Sequence, residues 1–239
     1  MQAKGFRVLK RFEIINKSFG HCYLSTKLID ENMSSKIFWE KFYKKHNSES
    51  FEWLVEYNKN LDDYIDKNEL NFRLTLDVGC GNSIFSSKLF QNRNSFLICA
   101  DFSSDALNQL QKSTTSTQTV TDFVLCDCTK LPFRADCFNI ILDKGYLDSI
   151  IKSKDMNLSL NSLNNMLDKL SYTNDSKLDN RNYLIQITDE VPELRIDLFD
   201  KLSFCKNYQD ISFSFKEIKL NDDDNQSNFI YFVQKNSKI

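Results

Sequence analysis

Hydrophobic positions along the chain change period several times, and each change predicts a different element. Residues 34–46, SSKIFWEKFYKKH, place Phe38, Trp39, Phe42 and Tyr43 on one aromatic helical face, with Ser35 positioned to cap the first turn. A second helix is predicted from Ser50, because Phe51, Leu54, Val55 and Leu61 again recur at spacings near the helical repeat. From residue 72 the pattern alternates: β-rich runs at 72–78, 96–101, 121–126, 138–143 and 182–188 are separated by helical stretches at 83–91, 104–112 and 155–170. Continuous apolar runs with helices between them predict a parallel sheet covered on both faces. The end of the chain differs, since 210–219 and 228–235 alternate apolar and polar residues on either side of an acidic loop. They predict an antiparallel hairpin on the sheet's edge. The polar stretch 112–121 reads as a loop.

The junction after the first β-run carries candidate chemistry. In Asp77-Val78-Gly79-Cys80-Gly81 two glycines sit where a strand ends and a helix begins, so the backbone can turn sharply and approach a ligand near free N–H groups. Asp101 closes the second run, where a carboxylate can take the hydroxyls of a ribose. Asp127 and Asp143 close the third and fourth, so four acids are expected on the carboxyl edge of one Rossmann-like, seven-strand α/β sheet. A dinucleotide fingerprint requires a third small residue, and Ile84 stands in its place. Asp77, directly before the glycines, repels a pyrophosphate but suits a ligand carrying ammonium and sulfonium charges. S-adenosylmethionine is the expected cofactor.

Composition narrows the partners. The 31 basic and 33 acidic residues give a net charge of −2, which favours neither nucleic acid nor an anionic membrane as a partner. No apolar stretch approaches the ~20 residues that span a bilayer. Seven cysteines include no metal-type C-x-x-C pair, so reduced thiols and no bound metal are expected. Residues 1–29 carry six basic side chains and one acid, with Phe6, Leu9 and Phe12 at helical spacing. This composition fits a mitochondrial transit segment or a basic tail without an address, and residues 30–239 then form one domain. Base-methylating enzymes use an N/D-P-P-Y run after the fourth strand, whereas this chain has Asp143-Lys144-Gly145-Tyr146.

The stretches LDVGCGNS, ADFSSDAL, CDCTKLPF, FNIILDKGYLDSI and YLIQITDEVPELR resemble the class I, seven-strand protein-lysine methyltransferases that modify citrate synthase and elongation factor 1-alpha. The resemblance covers about residues 36–236. It departs at Tyr146, where the family usually has Thr, and at the turn before the fifth strand, which lacks KPGG. The resemblance implies that Gly79 and Gly81 lie against the methionine moiety and that Asp101 binds the ribose with Phe102 beside the adenine. It places Asp127 and Cys128 at the adenine edge, Trp39 and Tyr43 over the cofactor, and Lys144 on the active-site rim. Trp39 also reads as plain core packing. A lysine acceptor must lose a proton, for which Asp143 is the first candidate and Asp148 the second, although Asp148 equally fits an acid at a helix start. The substrate expected from ITDEVPELR and the basic N-terminus is citrate synthase in the mitochondrial matrix. A cytosolic elongation factor 1-alpha methyltransferase is the alternative, and a cofactor-binding scaffold without catalysis is the third reading.

Overall fold

The computed structural model describes residues 33–46, 51–57, 72–91, 93–115, 119–172, 182–204, 211–218 and 228–235, with Asp62, Ile65 and Leu70 as isolated positions. The expected transit segment, 1–29, lies outside the described residues. Helix α1 (Lys36–Lys45) precedes an alternating series: β1 (Leu74–Val78), α2 (Phe85–Leu89), β2 (Phe96–Asp101), α3 (Ser104–Thr114) and β3 (Val120–Leu125). A single 3₁₀ turn (Cys128–Lys130) leads to β4 (Ile140–Lys144), α4 (Tyr146–Ile151), α5 (Met156–Lys169), β5 (Tyr183–Thr188) and α6 (Pro192–Phe204). Strands β6 (Ile211–Ile218) and β7 (Asn228–Lys235) complete the order.

The seven strands form one sheet in the order β3-β2-β1-β4-β5-β7-β6. Strands β1 to β5 pair in parallel, whereas β7 runs antiparallel to β5 and to β6. The expected hairpin is therefore present, with its second strand slotted beside β5 and its first on the edge. Each face carries its own core. Leu76, Val78, Ile141 and Leu184 pack with Leu163, Met166 and Phe199 on one side. Ile140, Leu142 and Ile185 pack with Phe85, Leu89 and Leu110 on the other. Alternate residues of β4 thus enter different cores, as the strand period requires. The order of successive strands reverses between β1 and β4, which opens a crevice at their carboxyl ends.

Two sequence expectations change. Residues 51–57 do not continue a helix: Leu54 has φ +66°, and the segment crosses the carboxyl edge of the sheet as an irregular strap. Its apolar residues satisfy helical spacing, but tertiary contacts of Glu52 and Trp53 override that pattern. Helix α3 runs to Thr114, into the stretch expected to be a loop; Ser103 caps its start by accepting from the Ala106 N–H at 3.3 Å. Helix α4, unforeseen, begins at Gly145, whose φ of +84° makes the sharp exit from β4.

Candidate active site

A cavity of about 720 Å³, counting its open mouth, lies over the carboxyl ends of β1, β2 and β4. Its floor is Asp77, Gly79, Cys80 and Asp101; Lys144, Gly145, Tyr146 and Ser149 form the β4 side. Phe102 and Cys128 close the β2–β3 end. Opposite them stands an aromatic wall from α1 and the strap, in which Trp39 stacks on Tyr43 (5.8 Å between centroids) and meets Trp53 edge-on (5.9 Å).

Asp101 is 6% exposed, and both its oxygens are anchored: Oδ2 accepts from the Gly81 N–H at 2.9 Å and Oδ1 from the Ser103 N–H at 2.8 Å. Burial raises its pKa, and the backbone donors at Ser103 and Gly81 oppose that rise. Asp77 is pushed up to about 7, chiefly by burial, with Lys144 pulling it down. The Lys144 ammonium donates to Glu52 Oε2 at 3.0 Å and to the Trp53 carbonyl at 2.8 Å, and lies 5.1 Å above the Phe85 ring. Burial lowers its pKa, while Glu52 acts in the opposite sense. Among the described residues, no cluster of His, Cys, Asp or Glu is arranged to hold a metal, and the five described cysteines are free.

Three glycines are matched to three aromatic rings. A Cβ on Gly79 would meet the Tyr146 side chain at 2.7 Å, one on Gly145 would meet Trp53 Cδ1 at 2.7 Å, and one on Gly81 would collide with the Tyr43 hydroxyl. All three have positive φ, so the bare backbone serves both the turn and the close ring contact.

Eight expected cofactor residues line this cavity: Trp39, Tyr43, Asp77, Gly79, Asp101, Phe102, Cys128 and Lys144. Gly81 sits behind the Tyr43 ring, contributing its N–H to Asp101. Asp127 does not join the lining. It is exposed and caps the 3₁₀ turn, accepting from the Thr129 N–H at 2.9 Å and the Thr129 hydroxyl at 2.7 Å. The two expected catalytic acids are also elsewhere. Asp143 accepts from the Leu147 N–H at 3.1 Å and, across the β4–β5 register, from Gln186 Nε2 at 2.8 Å. Asp148 accepts from Arg195 and from the Thr188 hydroxyl. These partners hold both carboxylates in a buried network beneath α4 and α6, so neither lines the cavity. Sequence reasoning missed Phe51, Glu52, Trp53, Ser83 and Ser149; the one available signal was that both tryptophans of the chain precede the first strand.

A family profile described as a methyltransferase domain matches residues 74–209. The chain belongs to the methyltransferase-domain family. The match starts at the first residue of β1, leaving α1 and the strap, hence four of the cavity's six aromatic lining residues, outside it. The methyltransferase domain is 30% identical over 128 residues to the eEF1A lysine and N-terminal methyltransferase of Danio rerio, covering 52% of this chain and 18% of that protein. It is 27% identical over 154 residues to the mitochondrial citrate synthase-lysine N-methyltransferase of Danio rerio, covering 54% of this chain and 61% of that protein. The chain thus spans less than a fifth of the first relative's length and under two thirds of the second's. A SAM-dependent methyltransferase from Methanosarcina mazei shares the fold, with a TM-score of 0.55 at 14% identity over 77% of this chain and all of that one.

Proposed function

We propose that this methyltransferase domain binds S-adenosylmethionine in the cavity and methylates a lysine of a protein substrate. The observation that carries the cofactor reading is Asp101: a buried carboxylate at the end of β2, oriented by two backbone N–H groups, with spare lone pairs on both oxygens for ribose hydroxyls. Phe102 and Cys128 offer an apolar slot beside it, and the acidic floor and aromatic faces suit a cationic ligand.

The bound cofactor supplies a methyl group already activated by a positive sulfur, so the protein's task is alignment and exclusion of water. Trp39, Tyr43, Phe51 and Trp53 exclude water on one side and Tyr146 on the other. The same burial that lowers the Lys144 pKa favours the neutral form of an amine entering the cavity, which is the form that accepts a methyl group. No carboxylate outside the cavity is needed for that step.

The substrate reading rests on what the relatives modify. Citrate synthase is the first candidate, supported by the resemblance of residues 187–195 and by the relative named for that substrate. Elongation factor 1-alpha is the second, supported by the 30% identity to the enzyme named for it. The two imply different compartments, the mitochondrial matrix and the cytosol. The test is transfer of tritiated methyl groups to both purified proteins side by side. Label on citrate synthase supports the first reading, label on the elongation factor alone replaces it, and cofactor binding with no label on either favours the non-catalytic scaffold.

A further inference from the structure

The two segments that close the cavity, α1 and the strap, belong to neither the sheet nor the matched domain, and both are tied to the glycine turn by polar side chains. Glu52 ties the strap. Its Oε2 accepts from the Ser83 hydroxyl at 2.6 Å and from Lys144 at 3.0 Å, while Oε1 accepts from the Ile84 N–H at 3.0 Å, at the start of α2. Asn82 and Gln109 tie the strap and α1 together. The Phe51 N–H donates to Asn82 Oδ1 at 3.2 Å, Asn82 Nδ2 donates to Gln109 Oε1 at 2.9 Å, and Gln109 Nε2 donates to the Tyr43 carbonyl at 2.9 Å. An obligate donor at one end and an obligate acceptor at the other fix the direction of both amides. None of the three side chains lines the cavity.

We infer that Glu52, Asn82 and Gln109 are positioning residues for cofactor binding, latching the aromatic wall onto the glycine turn. An irregular strap has few ladder hydrogen bonds of its own, so its position depends on such contacts. Without them the rings lose the fixed, water-excluding geometry from which stacking and cation–π attraction derive their strength. Glu52 contributes most, because it holds the strap to the turn, to the start of α2 and to the buried ammonium of Lys144 simultaneously. The inference rests on the cofactor reading above, but the latch has a readout independent of it. The chain has two tryptophans, Trp39 and Trp53, and both stand in the wall, so tryptophan emission reports on the wall itself.

The experiment compares the full chain with Glu52→Ala, Glu52→Gln and Gln109→Ala by acrylamide quenching, thermal melting and calorimetric titration with S-adenosylmethionine. In Glu52→Ala, quenching is expected to rise about twofold and Kd about tenfold or more, as for loss of a charge-assisted contact, together with a lower melting temperature because the Lys144 ammonium stays buried without its carboxylate. Glu52→Gln should fall between, since its amide oxygen keeps an acceptor for the turn but loses the charge facing Lys144. Gln109→Ala should move both readouts the same way, and it decides the matter if Glu52→Ala does not fold. Affinity within twofold of wild type in the folded variants overturns the inference, and so does a loss of affinity that only tracks a fall in melting temperature with quenching unchanged. Failure of the wild-type chain to bind S-adenosylmethionine overturns the cofactor reading instead; increased quenching in the variants then still supports the latch, and unchanged quenching overturns it.

Discussion

A β-carbon on Gly145 would lie 2.7 Å from Cδ1 of Trp53, residues on opposite walls of the cavity and far apart in the chain. Gly145 has φ +84°, so it cannot gain a side chain without strain, and the indole blocks the space. Gly145→Ala is expected to displace the strap and to cost about 1–3 kcal/mol of stability, the range for overpacking combined with a strained backbone. Urea unfolding followed by tryptophan emission measures both effects. Unchanged stability together with unchanged emission would show that the strap does not rest on Gly145.

Asp143 gives a pH-dependent prediction. Its pKa is pushed from 3.8 to about 7, by burial first and then by Asp148, with Arg195 opposing. Between those two values the folded chain holds a proton that the unfolded chain has released, so stability falls as pH rises from about 4 to about 7 and levels off above. Asp143→Asn removes this contribution. Its Oδ1 can still accept from the Leu147 N–H, and its amide can donate to Gln186 Oε1, a buried acceptor without a partner among the described residues, once the Gln186 amide rotates. The variant should match wild type near pH 4 and exceed it by about 2–4 kcal/mol at pH 8, by denaturant unfolding at the two pH values. It should also retain methyl transfer, because Asp143 does not line the cavity. Loss of transfer at full stability would restore Asp143 to the catalytic role expected from the sequence.

Asp148 and Arg195 form the neighbouring buried pair, 7% and 1% exposed at their side chains. Among the described residues, Arg195 Nε and Nη1 and Asp148 Oδ2 have no hydrogen-bond partner, so the pair is joined by its single hydrogen bond and through Thr188. Asp148→Ala takes from the buried guanidinium its hydrogen-bonded carboxylate and leaves only the charges of Asp143 and Glu190 to act on it, which is expected to cost about 3–5 kcal/mol. Adding Arg195→Met should recover more than half of that loss, because the buried charge disappears with it. A double variant as unstable as Asp148→Ala would mean that the guanidinium is not the source of the cost.

Much of this arrangement was legible from periodicity. Strands β1, β4 and β5 are buried along most of their length and appear as continuous apolar runs, β2 and β3 appear as short β-rich runs, and the hairpin appears as alternation, so all seven were located within a few residues. The glycine turn and the buried strand-end position of Asp101 were legible because a sharp strand-to-helix turn demands glycine and the apolar run of β2 ends at that acid. The strap was not. Phe51, Leu54 and Val55 satisfy a helical repeat, and nothing local shows that Glu52 pairs with Lys144, 92 residues away. The placement of Asp143 and Asp148 outside the cavity lining was not legible for a related reason: an acid at or just after a strand end looks the same in sequence whether it faces a cavity or a buried Gln186 or Arg195. Asp127, at another strand end, serves as a local cap.

Calorimetric titration of S-adenosylmethionine into the full chain and into Asp101→Ala, with NAD as the competing ligand, bears most directly on the proposed cofactor. Asp101 sits between the Gly81 and Ser103 N–H groups and keeps lone pairs for a ribose, so removing its carboxylate takes away charge-assisted contacts worth about 1.5–3 kcal/mol. The expected result is single-site binding of S-adenosylmethionine by wild type, weakened about tenfold or more in Asp101→Ala, with NAD bound more weakly than either. Equal affinity in the two proteins, or tighter binding of NAD, would contradict the assignment of this cavity to an adenosylmethionine-dependent methyltransferase.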